Sequence, residues 1–200
     1  GGYPLGQRLA DKQHTWDRWG LGALVPSGLA QGLIGHPFTC PDMIGGGDYL
    51  SFRARSDSLD PELFVRYAQC AALFPMMQFS AAPWRVLDKT HADLCLEAAR
   101  IHLSHSDRIL RLAEEAARTG LPILRSMELV FPGQGFERVL DQYLLGEDLL
   151  VAPVLQPGAR MRTVRLPDGI WMDEEGAVHE GGRSVVVPAP LHRLPRFFRS

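Results

Sequence analysis

Neither sign of charge is in excess in this chain, and its cysteines are too few and too scattered to form a disulfide framework. The 200 residues carry 21 basic and 23 acidic side chains, a formal net charge of −2. That balance gives no electrostatic reason to expect nucleic acid or an anionic membrane as a partner. The three cysteines, Cys40, Cys70 and Cys95, include no C-x-x-C pair, and isolated cysteines of odd number favour a reducing, cytoplasmic compartment.

Apolar runs suited to a membrane are also missing. The longest stretch without a charged residue, 19–41, contains five glycines and three prolines, which is typical of buried elements joined by a tight turn and not of a membrane helix. The sequence contains no Walker loop, no dinucleotide-binding fingerprint and no G-x-S-x-G elbow. We therefore expect no bound cofactor of those classes and no membrane span in this segment.

What is present predicts two architectures in succession. Helical spacing and capping residues predict helices at 21–33, from residue 60 onward and at 92–118, with short strands at 36–40 and 123–127. Farther along, only short strands separated by Pro-Gly, Asp-Gly and Gly-Gly turns are predicted, at 149–154, 163–166 and 184–187. The first two thirds are thus predicted to be α/β and the last third an antiparallel sheet. The chain is too short for a complete eight-stranded α/β barrel, which needs about 250 residues.

Asp42 is the strongest functional candidate from position alone. It follows a strand predicted to be buried on both faces, and catalytic groups of α/β folds sit at the carboxyl ends of such strands. The alternative is a structural carboxylate that caps the glycine turn at 45–47 through backbone amides.

Asp11 is a second candidate, with Trp16 five residues later. The pair is typical of a general acid beside a ring that stacks on sugar, but also of a surface loop with a local ion pair to Arg8 or Lys12. His102 and His105 have a spacing found in metal sites, yet no third ligand lies at a matching step. We therefore predict no metal site and interpret both histidines as core or boundary residues.

A set of collinear motifs resembles glycoside hydrolase family 31. The spacing of Asp11 and Trp16 begins it, and the remaining motifs are G-H-P-F at 35–38, P-D-M-I-G-G at 41–46, E-L-F-V-R-Y at 62–67, L-F-P-M-M at 73–77, G-L-P-I-L-R at 120–125 and D-Q-Y-L-L-G-E-D-L-L-V-A-P-V at 141–154. The E-L-F-V-R-Y motif at 62–67 is similar to the family's E-L-x-x-R-W helix. Within the family, residues 41–46 with Gln78-Phe79-Ser80 and Pro83-Trp84 are most similar to the myogenesis-regulating glycosidase group.

The resemblance implies a fold and an activity. Residues 1–140 would be the C-terminal half of a (β/α)8 TIM barrel and residues 141–200 a truncated β-sandwich domain. The implied reaction is retaining hydrolysis of terminal α-linked sugars by two aspartates about 5–5.5 Å apart. Asp11 matches the family's acid/base, whereas Asp42 matches an aspartate that binds sugar or organises the site. Without the resemblance, Asp11 and Asp42 would have been paired as the two catalytic carboxylates.

This chain departs from the family's pattern in two ways. The nucleophile and a sugar-binding arginine of the family would lie upstream of residue 1, so this chain alone is expected to be inactive, and a half-barrel alone is expected to be insoluble or molten. Ser80 occupies the place of a family histidine that contacts sugar, which favours an α-galactoside over an α-glucoside.

Several other residues complete the predicted sugar pocket, and one rival function stays open. The expected pocket residues besides Asp42 are Trp16, Gln78, Ser80, Trp84 and Arg85. The expected partner is an oligosaccharide or glycoside, with no metal, cofactor, nucleic acid or membrane, and the sequence does not predict an oligomeric state. The alternative is a non-catalytic homologue that binds glycans or another partner.

Overall fold

The computed structural model describes residues 6–48, 50 and 59–200. After a 3-10 turn at Leu21–Ala23, the helices are α1 (Leu24–Leu33), α2 (Pro61–Ala71), α3 (Pro83–Val86), α4 (Lys89–Ser104), α5 (Ser106–Thr119) and α6 (Met127–Val130). The strands are β1 (Gln7–Arg8), β2 (Thr39–Cys40), β3 (Met43–Ile44), β4 (Gln78–Phe79), β5 (Leu124–Arg125), β6 (Tyr143–Leu145), β7 (Leu149–Val151), β8 (Met161–Leu166), β9 (Ile170–Asp173), β10 (Val178–Glu180), β11 (Arg183–Pro188) and β12 (Arg196–Arg199). None of the helices in these described ranges is both long enough and apolar enough to cross a bilayer.

The first part of the chain combines short parallel strands with helices. Strand β1 pairs in parallel with β2, and β3 pairs in parallel with β4. Helices α1 and α2 pack against these strands and share one apolar core with them. The carboxyl end of β2, where Asp42 follows, is therefore set beside the end of β1.

Helix α2 begins where the sequence predicts. Asp60 is its N-cap and accepts a hydrogen bond from the Leu63 amide at 3.1 Å. Pro61 at the first helical position and Glu62 in the first turn favour this start, because proline needs no amide partner there and a carboxylate complements the helix dipole. All but the first two residues of α2 are buried, so the helix runs through the interior of the molecule.

The single helix predicted at 92–118 is wrong, because the chain breaks at His105 into α4 and α5. The backbone of His105 leaves the helical region (φ −107°, ψ 8°). Its Nδ1 hydrogen-bonds the Ile101 carbonyl at 2.9 Å and so replaces a helical bond. The start is also earlier than predicted, since the Asp88 carboxylate caps the His91 amide at 3.1 Å. Gly120 ends α5 in the left-handed region (φ 78°), as predicted.

The last third is built from antiparallel sheets, as the sequence predicts. Six strands lie in the order β10-β9-β12-β7-β6-β5, and β8 pairs with β11 in a separate two-stranded antiparallel sheet. Side chains of both sheets, such as Trp171 and Val187, fill a second apolar core, an arrangement consistent with a β-sandwich. Strand β5 pairs antiparallel with β6, so this sheet recruits residues upstream of 141. The domain division near residue 140 stays a prediction.

Candidate active site

Asp42 is the most constrained polar residue at the ends of the parallel strands. Its φ of +120° is the sole positive φ of any non-glycine residue within the described ranges, and such backbone strain tends to occur at functional sites. The side chain is fully buried. One carboxylate oxygen lies 2.5 Å from Arg8 Nη1, while the other accepts the amides of Lys12 at 2.6 Å and Gly47 at 2.9 Å. Asp42 therefore ties three segments together.

Asp11 lies beside Asp42 on the same guanidinium. Arg8 Nη1 is 2.5 Å from Asp11 Oδ1 as well as from Asp42 Oδ1. The Asp11 side chain, unlike that of Asp42, is 51% exposed, so its carboxylate faces solvent. The hydrogen bond that Arg8 donates to Asp11 raises the pKa of Arg8; desolvation opposes this shift and the bond to Asp42 adds to it. The structure thus joins the two predicted aspartates through a fixed positive charge.

The glycines after Asp42 allow this close approach. Gly45 and Gly46 have positive φ values of 94° and 100°. A Cβ at Gly46 would lie 2.8 Å from the Lys12 carbonyl, and one at Gly47 would lie 2.9 Å from Asp11 Oδ1. Any side chain here would push the turn away from the two aspartates. The glycines are therefore required by the contacts of the site.

The segment 11–16, which we call the acid loop, is held from the other side by α2. Trp16 Nε1 donates to Asp60 Oδ2 at 2.9 Å. His14 accepts the Asp60 amide at Nε2 (3.1 Å), and its Nδ1 lies 2.9 Å from the Gly45 carbonyl, which assigns the proton to Nδ1. The Tyr67 hydroxyl donates to the Gln13 carbonyl at 2.7 Å. Trp16 is partly buried against the core, with its indole edge fixed.

Gln78 lies on β4, the strand that pairs with β3, and Ser80 follows directly after it. Gln78 is exposed in β4, opposite Met43 of β3. It lines a cavity of about 540 Å³ together with Arg8, Cys40, Met76 and His102. The Ser80 hydroxyl donates to the Ile44 carbonyl at 2.5 Å. Since that donor is already used, Ser80 offers a ligand only acceptor lone pairs.

Trp84 and Arg85 lie on α3, away from this group. The Trp84 ring is 77% exposed and lines a separate apolar cavity of about 330 Å³ against α4, with Phe79, Cys95 and Leu96. Arg85 is exposed in the last turn of the same short helix. Within the described segments, no hydrogen bond or ion pair links either residue to Asp11 or Asp42.

The two helical histidines have structural partners. His102 Nδ1 lies 2.9 Å from the Ala72 carbonyl, and His105 Nδ1 bonds the Ile101 carbonyl. Both side chains are half-buried, as is usual for histidines at the edge of a core. In the part of the chain that the structure covers, no group of three His, Cys, Asp or Glu side chains is arranged to hold a metal ion.

Arg8, His14, Asp60 and Tyr67 contribute to this site without having been predicted for it. Only Arg8 gave a sequence signal, three residues before Asp11, and that signal indicated a local surface pair. The link from Arg8 to Asp42 spans 34 residues and arises because Arg8 pairs with Cys40 across the parallel strands. Asp60 and Tyr67 read as residues of a helix, and nothing in their spacing points to the acid loop.

Comparison with known proteins identifies a matching domain model and several similar proteins. Residues 120–200 match the model of the glycosyl hydrolase family 31 C-terminal domain. The chain is 38% identical to myogenesis-regulating glycosidase of Mus musculus over 182 residues, covering 86% of this chain and 25% of that protein. It is 34% identical to SITS-binding protein of Tetronarce californica, covering 98% of this chain and 28% of that protein. The chain thus spans about a quarter of the length of these relatives.

A solved structure extends the likeness to the fold. The cycloalternan-forming enzyme of Listeria monocytogenes, in complex with a pentasaccharide substrate, superposes with a TM-score of 0.86 at 27% identity. The match covers 98% of this chain and 19% of that enzyme. Together with the matched domain and the relatives, it confirms the resemblance that the motifs predicted. The chain belongs to glycoside hydrolase family 31.

Proposed function

We propose that this chain is the acid/base-bearing part of a retaining α-glycosidase that hydrolyses terminal α-linked sugars. The observation that carries the proposal is the placement of Asp11, a half-exposed carboxylate held 2.5 Å from Arg8 on the guanidinium that also binds buried Asp42. Membership of the family supports glycoside hydrolysis, and the mouse relative is named a glycosidase.

In the proposed reaction Asp11 moves one proton in each half. It first protonates the glycosidic oxygen while an aspartate nucleophile bonds to the anomeric carbon and the C–O bond breaks. It then takes a proton from the water that displaces the nucleophile and releases the sugar. The nucleophile belongs to residues outside this chain, so residues 1–200 alone are expected to be inactive.

Asp42 is proposed to organise the site, not to react. Its carboxylate is fully buried and already accepts three hydrogen bonds from protein donors. A carboxylate so enclosed fixes the Gly45–Gly47 turn and the acid loop around Asp11. The parallel pairs β1/β2 and β3/β4 support the proposal that residues 1–140 are the C-terminal half of a TIM barrel, with residues 141–200 as its β-sandwich.

The proposed sugar pocket is lined by Trp16, Gln78 and Ser80. The Ser80 side chain is too short to reach the sugar as the family's histidine does. Its hydroxyl proton is also already donated to the Ile44 carbonyl. We therefore favour an α-galactoside as substrate over an α-glucoside. Trp84 and Arg85 are the weakest members of the proposed pocket, since Trp84 lines the separate cavity against α4.

The test uses the whole protein that contains this chain, assayed with α-galactoside and α-glucoside chromogens to identify the sugar and with the corresponding methyl glycosides as substrates that have a poor leaving group. Asp11→Ala is expected to lower kcat/KM for a poor leaving group by about 10²–10⁴-fold, the usual contribution of a general acid. Asp107→Ala, an exposed carboxylate at the start of α5, is the matched control and should leave the rate within twofold of the wild type (about the scatter of such assays). Equal rates for the two variants would contradict the assignment of Asp11.

The second candidate function is a non-catalytic homologue that binds a glycan or another partner. It is favoured by the second relative, whose name describes binding and not hydrolysis. A folded whole protein that binds glycans but turns over neither chromogen would favour this function over the glycosidase.

A further inference from the structure

Helix α2 contacts the acid loop at two separate points. At the N-terminus of α2, the Asp60 carboxylate accepts a hydrogen bond from Trp16 Nε1 at 2.9 Å, and the Asp60 backbone amide donates one to His14 Nε2 at 3.1 Å. Two turns farther on, the Tyr67 hydroxyl donates to the Gln13 carbonyl at 2.7 Å. Gln13 is two residues from Asp11, so the bond from Tyr67 acts on the backbone that carries the proposed acid/base.

Tyr67 is suited to hold that backbone in one place. It is 1% exposed and belongs to the main apolar core, so its ring has no room to move. Burial raises the pKa of its hydroxyl well above the ordinary value, which keeps the proton on the donor across the working range. The Gln13 carbonyl also accepts the Thr15 amide at 2.9 Å, so one acceptor fixes both the helix contact and the turn of the loop.

We propose that Tyr67 is a positioning residue for Asp11: its hydroxyl, through the Gln13 carbonyl, sets where the Asp11 carboxylate lies relative to the glycosidic oxygen. The inference rests on the proposed function, in which Asp11 is the acid/base. Tyr67 itself touches neither substrate nor the reacting atoms. Displacement of a reacting group by about 1 Å costs up to roughly a hundredfold in rate.

Leaving-group dependence separates misplacement of an acid from general damage. A methyl glycoside needs protonation of its leaving oxygen, whereas a 2,4-dinitrophenyl glycoside leaves as a stable anion and needs almost none. A misplaced Asp11 therefore slows the first substrate far more than the second. A merely less stable protein loses active molecules and slows both equally.

The test variant is Tyr67→Phe in the whole protein, with Tyr143→Phe as control. Tyr143 is equally buried, lies in the same core and donates to the Cys70 carbonyl at 3.5 Å, remote from the acid loop. We expect Tyr67→Phe to lower kcat/KM for the methyl glycoside by about 10–100-fold and for the dinitrophenyl glycoside by less than about threefold. Tyr143→Phe should change the ratio of the two by less than about twofold.

Amide hydrogen exchange gives a readout that needs no activity. Tyr67→Phe is expected to speed exchange in peptides covering 12–15 by about fivefold, and Tyr143→Phe to leave them unchanged. Unchanged exchange in Tyr67→Phe overturns the positioning role, whatever the activity. If Asp11→Ala shows the leaving-group pattern and Tyr67→Phe does not, the positioning role is wrong and the function stands; if Asp11→Ala lacks the pattern, the proposed function fails.

Discussion

Asp42 combines backbone strain, full burial and a negative charge in one residue. A non-glycine residue at φ +120° is costly, and so is a buried carboxylate without partners. Here three donors from Arg8, Lys12 and Gly47 compensate that burial. The same three bonds bring the acid loop and the glycine turn to one point, so the cost of the strained residue is offset by the geometry of the site.

Asp42→Asn tests this account at nearly constant side-chain volume. The amide accepts at one atom only, and its NH₂ group would face the Arg8 guanidinium or a backbone amide, donor against donor. Since hydrogen bonds to charged groups contribute about 1.5–3 kcal/mol, we expect the free energy of unfolding to fall by about 2 kcal/mol and activity to fall with it.

Urea unfolding of the whole protein measures the change, with Asp107→Asn as the exposed control. Asp107→Asn should shift the free energy of unfolding by no more than about 0.5 kcal/mol, as is usual for surface positions. A stable Asp42→Asn variant with full activity would show that the carboxylate neither supports the fold nor orders the site.

The contacts of the candidate residues could be anticipated from the sequence only where the signal was local. Asp42 stood out because it follows a short strand predicted to be buried, and in the structure it is buried directly after β2. The roles of Asp60 and Tyr67 depend on contacts with Trp16 and Gln13, from which they are separated by 44 and 54 positions in the sequence. Such contacts leave no periodic mark in the sequence, because they are set by how helix α2 packs.

At the scale of the element, the break between α4 and α5 has a titratable residue at its centre. His105 bonds the Ile101 carbonyl and stacks on Phe198 of β12, with ring centroids 6.5 Å apart. Burial lowers the pKa of His105; the Ile101 carbonyl opposes this shift, and the nearby charges of Arg196, Arg108 and His102 add to it. The break therefore favours the neutral imidazole.

This lowered pKa predicts a pH dependence of stability. Between the folded value and the unfolded value of about 6.5, the unfolded chain binds more protons, so the free energy of unfolding falls as pH drops through that window. The contribution is fully present above pH 6.5 and fully lost below the folded pKa. His105→Gln should flatten this part of the profile.

Melting temperatures from pH 7.5 to pH 5 measure the effect. His36→Gln, at an exposed histidine after α1, is the matched control and should keep the slope of the wild type. If the His105→Gln and wild-type profiles run parallel over the whole range, the break is not a titrating element.

The same break shows why element boundaries were harder to predict than element types. The apolar spacing from 94 to 116 continues through His105, so periodicity alone predicts one helix. What ends α4 is a side-chain bond to a backbone carbonyl, which competes locally with the helical one. Likewise, the strand at 124–125 was predicted correctly as a strand, but its antiparallel partner β6 lies some 20 residues downstream and was not foreseeable from its own residues.

At the scale of the whole molecule, α2 joins the strands that carry the aspartates to the antiparallel sheets. Arg66 is 1% exposed, and its guanidinium donates to the carbonyls of Ala189 at 2.8 Å, Arg193 at 3.1 Å and Ala159 at 3.3 Å. Gln69 adds a bond to the Leu191 carbonyl at 2.6 Å. Burial lowers the pKa of Arg66 to about 10, so the guanidinium stays charged at neutral pH. One buried cation thus binds three backbone carbonyls of the sheet region, two of which lie in the loop between β11 and β12.

Arg66→Met should uncouple these two regions. Methionine fills most of the volume but leaves the buried carbonyls of Ala189 and Arg193 without a side-chain donor, at about 1–3 kcal/mol each. Relief of the buried charge offsets part of that cost. We expect a net loss on the order of 3 kcal/mol in the free energy of unfolding. Hydrogen exchange should then show α2 and the strands β7 and β12 opening at different free energies, whereas we expect them to open together in the wild type. Arg111→Met, at an exposed arginine of α5, should change neither quantity, and a similarly small effect of Arg66→Met would mean that apolar packing alone holds the two regions together.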